Sequence, residues 1–290
     1  MTLFHRTGSA LPGSRTTLRA LRGVLRLTLA GWHIARGVYI VGVVFPSLDT
    51  AHRQVQVQRW SSAVLRSLGV SVQMQGRLEG TAQLLVSNHV SWLDVIVLQA
   101  LFPHARFVSK AEVQHWPLIG RLVTGAGTLF VERNRPRQTG HCVDAIATAL
   151  AAGGTVAVFP EGTTSDGQAV LPFRSGLLQA ALLAEVPIRA VALRYADAHH
   201  PVSRSAPYVD ADTLLGSLWR TARAEGLLAH VRVVADRGRT VAHRRLLAAT
   251  LRWDIQAALD ADPPAQVAVR ANEPAVAQRG RRAAMPTGNP

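Results

Sequence analysis

Cysteine, lysine and aromatic residues are all scarce in this 290-residue chain, and each shortage excludes something. The one cysteine, Cys142, cannot form an intramolecular disulfide, and a zinc site needing two or more thiolates is excluded with it. Nothing therefore argues for an oxidising compartment, and the fold must stand on packing. Charged residues are only 17% of the chain against 48% apolar, which excludes a disordered protein and gives enough chain for one large domain or at most two small ones. Lys110 is the single lysine, so arginine carries almost all of a net charge of +14. Such an excess points to an acidic surface as partner.

Long uninterrupted apolar runs are also missing. Residues 1–60 hold eight arginines against one acid, Asp49, and their longest stretch free of charge and histidine is the twelve residues Gly37 to Leu48. Twelve residues are too few to span a bilayer, and no small-residue cleavage site follows to suggest a signal peptide. At 100° per residue, Arg15, Arg19, Arg22, Arg26 and His33 fall within about 60° of one another on an otherwise apolar helix, the pattern of a helix lying in a membrane interface. Arginines near anionic lipid contribute about 1 kcal/mol each. The other reading is a long amphipathic helix packed on its own domain. Gly31, Gly37 and Gly42 are expected to bend the helix into two antiparallel halves, and Pro46 to end it.

From residue 70 short apolar runs alternate with helical segments. Strands are predicted at 70–75, 83–87, 106–109, 128–132, 155–159, 187–195 and 230–235, and helices at 91–101, 116–124, 136–152, 174–184, 212–225 and 242–259. Several strands are apolar on both faces, which suits a sheet covered by helices on each side. The class is therefore α/β, with a mixed, mostly parallel sheet flanked by helices and preceded by an N-terminal amphipathic membrane-interface helix or helical hairpin. Three regions follow: a membrane-associated helical segment at 1–48, a domain at 49–262, and a disordered basic tail at 263–290.

Three clusters carry chemistry. In SNHVSWLDVIVL, Ser87 to Leu98, a strand passes through a turn into a helix. His89 and Asp94 would point about 140° apart on one helix, so their contact requires His89 in the turn and Asp94 in the first helical turn. Ser91 as N-cap with Asp94 three residues on is a capping-box-like start, and that structural account competes with a His–carboxylate pair built for base catalysis. The turn at 89–92 also offers backbone N–H groups for an oxyanion. The second cluster is GTLFVER, Gly127 to Arg133; the third is FPEGTTSDG, Phe159 to Gly167. Both lie at strand ends, where α/β sheets bind ligands. Arginine pairs with phosphate as a fork, glycine admits close backbone approach, and threonine hydroxyls add donors. Taken singly, Arg133 is also readable as a solvated strand end and Glu161-Gly162 as a tight turn. Glu161 cannot attract a phosphate and is better placed to hold an arginine or a substrate hydroxyl.

Other function classes lack their signatures. There is no Gly-x-Ser-x-Gly elbow, no Walker loop before Lys110, and GAGTLF at 125–130 lacks the third glycine of a dinucleotide fingerprint. A nucleic-acid partner is not expected, because the arginines stripe an apolar helix rather than line a groove with aromatics. A non-enzymatic membrane scaffold would be expected to lose His89 or Asp94.

Taken in order, NHVSWLD (88–94), GTLFVER (127–133), FPEGTTS (159–165) and VPIRAVAL (186–193) resemble the four-block signature of the glycerolipid acyltransferases, over about residues 70 to 200. That resemblance implies transfer of a fatty acyl group from acyl-CoA or acyl carrier protein to the free hydroxyl of a lysolipid, with 1-acylglycerol-3-phosphate as acceptor and lyso-ornithine lipid as the alternative. It makes His89 the base, Asp94 its orienting partner, Arg133 an acceptor-phosphate ligand, and Glu161 and Gly162 part of the acceptor site. Asn88, Ser91, Gly127, Phe130, Thr163 and Thr164 join the substrate site as members of the same blocks. Thr164 stands where many phosphate-recognising members carry arginine, and Arg174 is the candidate replacement; Ala190 stands where the fourth block has its second proline. No metal or cofactor is expected beyond the thioester co-substrate. The implied location is the cytoplasmic face of a bacterial-type inner membrane, peripheral or monotopic, with anionic lipid as a partner.

Overall fold

Strands that alternate between two buried faces need a layer of helices on each side, and that is the arrangement in the computed structural model. The structure describes residues 12–78, 80, 82–131, 136–209, 212–234 and 243–261. The elements run α1 (Pro12–Tyr39), α2 (Thr50–Leu68), β1 (Val70–Gln75), β2 (Gln83–Ser87), α3 (Leu93–Leu101), β3 (Ala105–Lys110), α4 (Ile119–Gly125), β4 (Leu129–Val131), α5 (Pro136–Ala151), β5 (Thr155–Val158), α6 (Gln179–Leu183), β6 (Ile188–Ala196), α7 (Leu214–Arg223), β7 (Leu227–Val233) and α8 (Arg244–Ala261). The sheet order is β1-β7-β6-β2-β5-β3-β4, all neighbours parallel except β6 with β7. The expected mixed, mostly parallel class holds.

Period two along the central strands sorts side chains between the two cores. Leu84 and Val86 of β2, Val156 and Val158 of β5, and Ala190 and Ala192 of β6 face the core shared with α5, α6 and α8. Leu85, Ala157, Val191, Leu193 and Tyr195 face the core shared with α2 and α3. Burying one such leucine contributes about 1.5–3 kcal/mol. β2 is buried at all five positions and sits between β6 and β5, so its C-terminal end opens at the middle of the sheet.

The N-terminal region departs from expectation in three ways. First, α1 does not bend into two halves at its glycines. It continues through a π-helical turn (Ile40–Val44) into a 3-10 turn at Phe45–Ser47, which holds Pro46, so that Thr16–Ser47 is long and apolar enough to cross a membrane by length and composition. Gly37 is needed for close approach instead: a Cβ there would lie 2.5 Å from Trp60 Nε1. Second, a helix fills 50–68, where none was expected. Asp49 caps it by accepting from His52 N at 2.8 Å, and Gly69, at φ +74°, ends it. Trp60 Nε1 donates to His33 O at 2.7 Å, and α1 and α2 lie antiparallel as a helical hairpin.

Third, the described arginines of the stripe, Arg19, Arg22 and Arg26, turn toward the protein, while the Arg15 side chain lies outside the described residues. Arg19 bonds Glu225, Arg22 lies 3.7 Å from the same carboxylate, and Arg26 donates to the carbonyl oxygens of Ala222 and Ala224 at the end of α7. Carbonyls left unpaired at a helix C-terminus attract cations, which accounts for the choice of arginine here. The outward side of α1, about a quarter-turn round the helix from the stripe, is apolar and open: Leu18, Leu21 and Leu25 are each 61% exposed and Trp32 60%, with Leu29 and Tyr39 continuing the row and Val43 of the π-helical turn beyond them. A core helix would turn those residues inward.

Smaller differences concern boundaries. β7 begins at Leu227, three residues before the predicted strand, and α6 is five residues long rather than eleven. The predicted tail at 263–290 lies outside the described residues.

Candidate active site

Two buried strands, β2 and β5, lie side by side in parallel and end together, and the residues that follow each meet above the sheet. After Ser87 the chain is fixed first by Asn88, whose amide donates to Leu193 O and accepts from Leu193 N, both at 2.8 Å. Asn88 is thus turned into the sheet rather than toward a substrate. His89 comes next, its Nδ1 2.7 Å from Asp94 Oδ2. The imidazole stacks on Phe159 at 4.1 Å between ring centres and 15° between planes, so its orientation is set by a ring as well as by a carboxylate.

Asp94 is fully buried at the start of α3. Its Oδ2 also accepts from Val90 N at 2.7 Å and Ser91 N at 3.0 Å, and its Oδ1 accepts from the hydroxyl of Tyr195 at 2.7 Å. Half of the expected capping box forms. The Asp94 carboxylate reaches back to Ser91 N, while the Ser91 hydroxyl is buried with no hydrogen-bond partner among the described residues. The expected oxyanion donors change too, since the N–H groups of Val90 and Ser91 are held by Asp94 and that of His89 by Glu161.

Glu161 is the second carboxylate of the site. It is 4% exposed; Oε1 accepts from His89 N at 2.6 Å and Oε2 from Leu171 N at 3.0 Å. Burial pushes its carboxyl up to about 7, against the pull of those two donors. Both oxygens accept from backbone N–H groups, and Glu161 thereby clamps the His89 turn. The His89 carbonyl is held as well, by Ser165 N at 2.8 Å. Gly162, at φ +74°, makes the turn that returns the chain from Glu161, a conformation in which a side chain would be strained.

The remaining expected residues divide into near and far. Arg174 is exposed and close to the turn, where a Cβ on Gly162 would lie 3.2 Å from its Nε; its own N–H bonds Pro160 O at 2.9 Å. Thr163 is exposed beside it, whereas the Thr164 hydroxyl is turned back to the carbonyl of Tyr208. Gly127 and Phe130 lie at the β4 edge, three strands from β2 and so about 14 Å across the sheet. Gly127 turns the chain at φ +78°, and its carbonyl accepts from Arg106. Arg133 lies outside the described residues. Tyr195 and Phe159 were not foreseen as site residues. A tyrosine within an otherwise apolar strand is a usable signal, because a buried phenol needs a partner.

A half-buried histidine paired with a buried carboxylate at a strand-to-helix turn, clamped by a second carboxylate, is equipped for proton removal. Comparison with known proteins gives the family. Residues 69–194 match the family model described as Acyltransferase. The 1-acyl-sn-glycerol-3-phosphate acyltransferase of Neisseria gonorrhoeae is 32% identical over 200 residues, 69% of this chain and 77% of that protein. The chain belongs to the acyltransferase family. The lyso-ornithine lipid O-acyltransferase of Brucella abortus is 42% identical over 144 residues, 47% of this chain and 54% of that protein. The crystal structure of the 1-acyl-sn-glycerophosphate (LPA) acyltransferase PlsC from Thermotoga maritima superposes with a TM-score of 0.60 at 15% identity, covering 89% of this chain and all of that one, a likeness of fold. The matched acyltransferase segment contains His89, Asp94 and Glu161, stops one residue short of Tyr195, and leaves out α1 and α2. An acyltransferase related to lipid-synthesising enzymes, with one apolar helix facing outward, is a membrane-associated protein.

Proposed function

We propose that this acyltransferase moves a fatty acyl group from a thioester, on coenzyme A or acyl carrier protein, to the free hydroxyl of 1-acylglycerol-3-phosphate. The observation that carries the reading is the His89 Nδ1 to Asp94 Oδ2 contact of 2.7 Å. With Nδ1 committed to the carboxylate, Nε2 is the nitrogen that meets the acceptor hydroxyl and removes its proton as the oxygen attacks the thioester carbonyl. The tetrahedral intermediate collapses by breaking the carbon–sulfur bond, and the proton held on His89 is available to the leaving thiolate. No covalent acyl-enzyme is needed.

Arg174, exposed beside Gly162, is the described cation best placed to meet an anionic headgroup. Arg133 is proposed as a second ligand from the motif alone. A lyso-ornithine lipid is the second acceptor considered, and one observation favours it: Thr164, where phosphate-recognising relatives carry arginine, spends its hydroxyl on the Tyr208 carbonyl. The same proposal has the chain at the cytoplasmic face of the membrane with α1 in the plane of the headgroups; the in-plane orientation is supported by the Arg19 and Arg26 contacts, which a crossing helix would have to release.

The deciding experiment offers purified protein with acyl-CoA or acyl-loaded carrier protein both acceptors side by side. Diacylated glycerol phosphate is the expected product. Acylated ornithine lipid alone would transfer the assignment to the second acceptor, and no acyl transfer to either would overturn the reading.

A further inference from the structure

Asp94 has two oxygens, and only one of them serves the histidine. Oδ2 takes His89 Nδ1 and two backbone N–H groups; Oδ1 takes the Tyr195 hydroxyl and nothing else among the described contacts. Tyr195 arrives from β6, 101 positions away in sequence, and is 2% exposed. Its ring lies in the core that β6 shares with α3, and Asp94 is the one partner of its hydroxyl among the described residues.

Resting on the assignment of His89 as base, we propose that Tyr195 is a positioning residue, the third member of a Tyr195–Asp94–His89 relay that fixes the carboxylate and through it the imidazole. Two physical facts support a role beyond packing. A phenylalanine of the same shape would fill the core equally well, so the hydroxyl is not explained by burial. Rotation of the carboxylate about its Cβ–Cγ bond would take Oδ2 out of the line of Nδ1, and a bond to Oδ1 adds a second point of hold, on the far side of that bond, to the three donors on Oδ2. Tyr195 supplies the hold on the second oxygen, as a donor that burial and the neighbouring Asp94 keep protonated by pushing its phenol up. The strand that carries it is anchored to the same turn, since Leu193, two residues back, is paired in both directions with Asn88. The spacing between the base and its support is thereby fixed by backbone.

The test is Tyr195→Phe in the full-length protein. A hydrogen bond to a charged group is lost, so kcat should fall roughly tenfold or more while KM for acceptor and donor stays within about twofold. The proton on His89 Nδ1, assigned by its absence in His89→Ala, should move downfield in the NMR spectrum as Asp94 becomes a stronger acceptor. In an Asp94→Asn background the same substitution should change kcat by less than about twofold. Wild-type kcat with an unmoved resonance overturns the proposal, as does an equal loss in both backgrounds. If Tyr195→Phe does not fold, 3-fluorotyrosine incorporated in a Tyr39→Phe/Tyr208→Phe protein carries the test. The better donor should move the resonance upfield, and no movement overturns the proposal. Activity of His89→Ala within a few-fold of wild type would instead sink the base assignment, so the two failures are distinguishable.

Discussion

Arg19 and Glu225 form a two-point ion pair, Nε to Oε1 at 2.8 Å and Nη2 to Oε2 at 3.1 Å, which ties α1 to the loop between α7 and β7. Arg22 and His199 approach the same carboxylate, and Arg26 closes the end of α7 through two carbonyls. These contacts give the basic stripe an intramolecular purpose. Arg26→Gln should destabilise the folded protein by about 1–2 kcal/mol, read from chemical unfolding, because two helix-terminal carbonyls lose their donor. Its effect on binding to anionic vesicles should be small at equal folded fraction. A large loss of vesicle binding with unchanged stability would return the stripe to the lipid.

At the active site, His89→Ala should abolish acyl transfer at unchanged folding, since the side chain is packed on Phe159 at the rim and carries no structural bond beyond Asp94. Asp94→Asn should cost at least about 100-fold in kcat and also lower the unfolding midpoint. The amide nitrogen of asparagine would face either two backbone N–H groups or a phenol, and one donor would be left buried without an acceptor. Thermal unfolding and initial rates on the same preparations check both halves.

Much of this was legible in the chain because the relevant signals are local. Short apolar strands between helical segments announce an α/β sheet, and a histidine in a turn with an aspartate in the first turn of the next helix gives the pair. The rest depends on which surfaces meet. The periodicity of 15–33 locates the arginine stripe but not its direction, because arginine satisfies helix-end carbonyls as well as lipid phosphates. Thr50–Leu68 is hard to read locally, since QVQVQ at 54–58 alternates like a strand while Ser61, Val64, Leu65 and Leu68 keep helical spacing. Glu161 looked like an acceptor ligand because the turn after β5 is only seen to lie against His89 once β2 and β5 are paired. Tyr195 is 101 positions from Asp94, beyond any local pattern.

Glu161 makes pH act in opposite directions on stability and activity. Its carboxyl is raised from 4.5 to about 7 in the folded protein by burial. Between those values Glu161 binds more proton in the native state, so its own contribution to stability is full below about pH 4.5 and is lost as pH rises through about 7. The span is on the order of 2–4 kcal/mol. A proton on either oxygen, however, displaces one of its two backbone donors, His89 N or Leu171 N, and loosens the catalytic turn. Activity should therefore rise through the same window in which stability declines. Glu161→Gln should flatten the pH dependence of urea unfolding between 4.5 and 7 and lower activity throughout. An unchanged slope would show that the carboxylate is not the group responsible.

The outward face of α1 decides how the active site reaches a lipid. Leu18, Leu21, Leu25, Leu29 and Trp32 recur at three- and four-residue spacing on the side away from α7, and no part of the described chain covers them. Each leucine moved from water into the acyl boundary contributes about 1.5–3 kcal/mol when fully buried, so even partial insertion of the row outweighs the attraction of Arg19, Arg22 and Arg26, which already meet Glu225 or the end of α7. Attachment should therefore depend on apolar area and respond little to salt. Leu21→Ser/Leu25→Ser/Trp32→Ser should weaken binding to neutral and anionic vesicles alike, by roughly 100-fold or more, and leave the unfolding midpoint near that of wild type, because each of these side chains is about 60% exposed in the folded protein. Activity on acceptor presented in vesicles should fall with binding, while activity on acceptor dispersed in detergent should survive. Retention of the triple variant on vesicles at wild-type strength would mean that another surface holds the protein to the membrane.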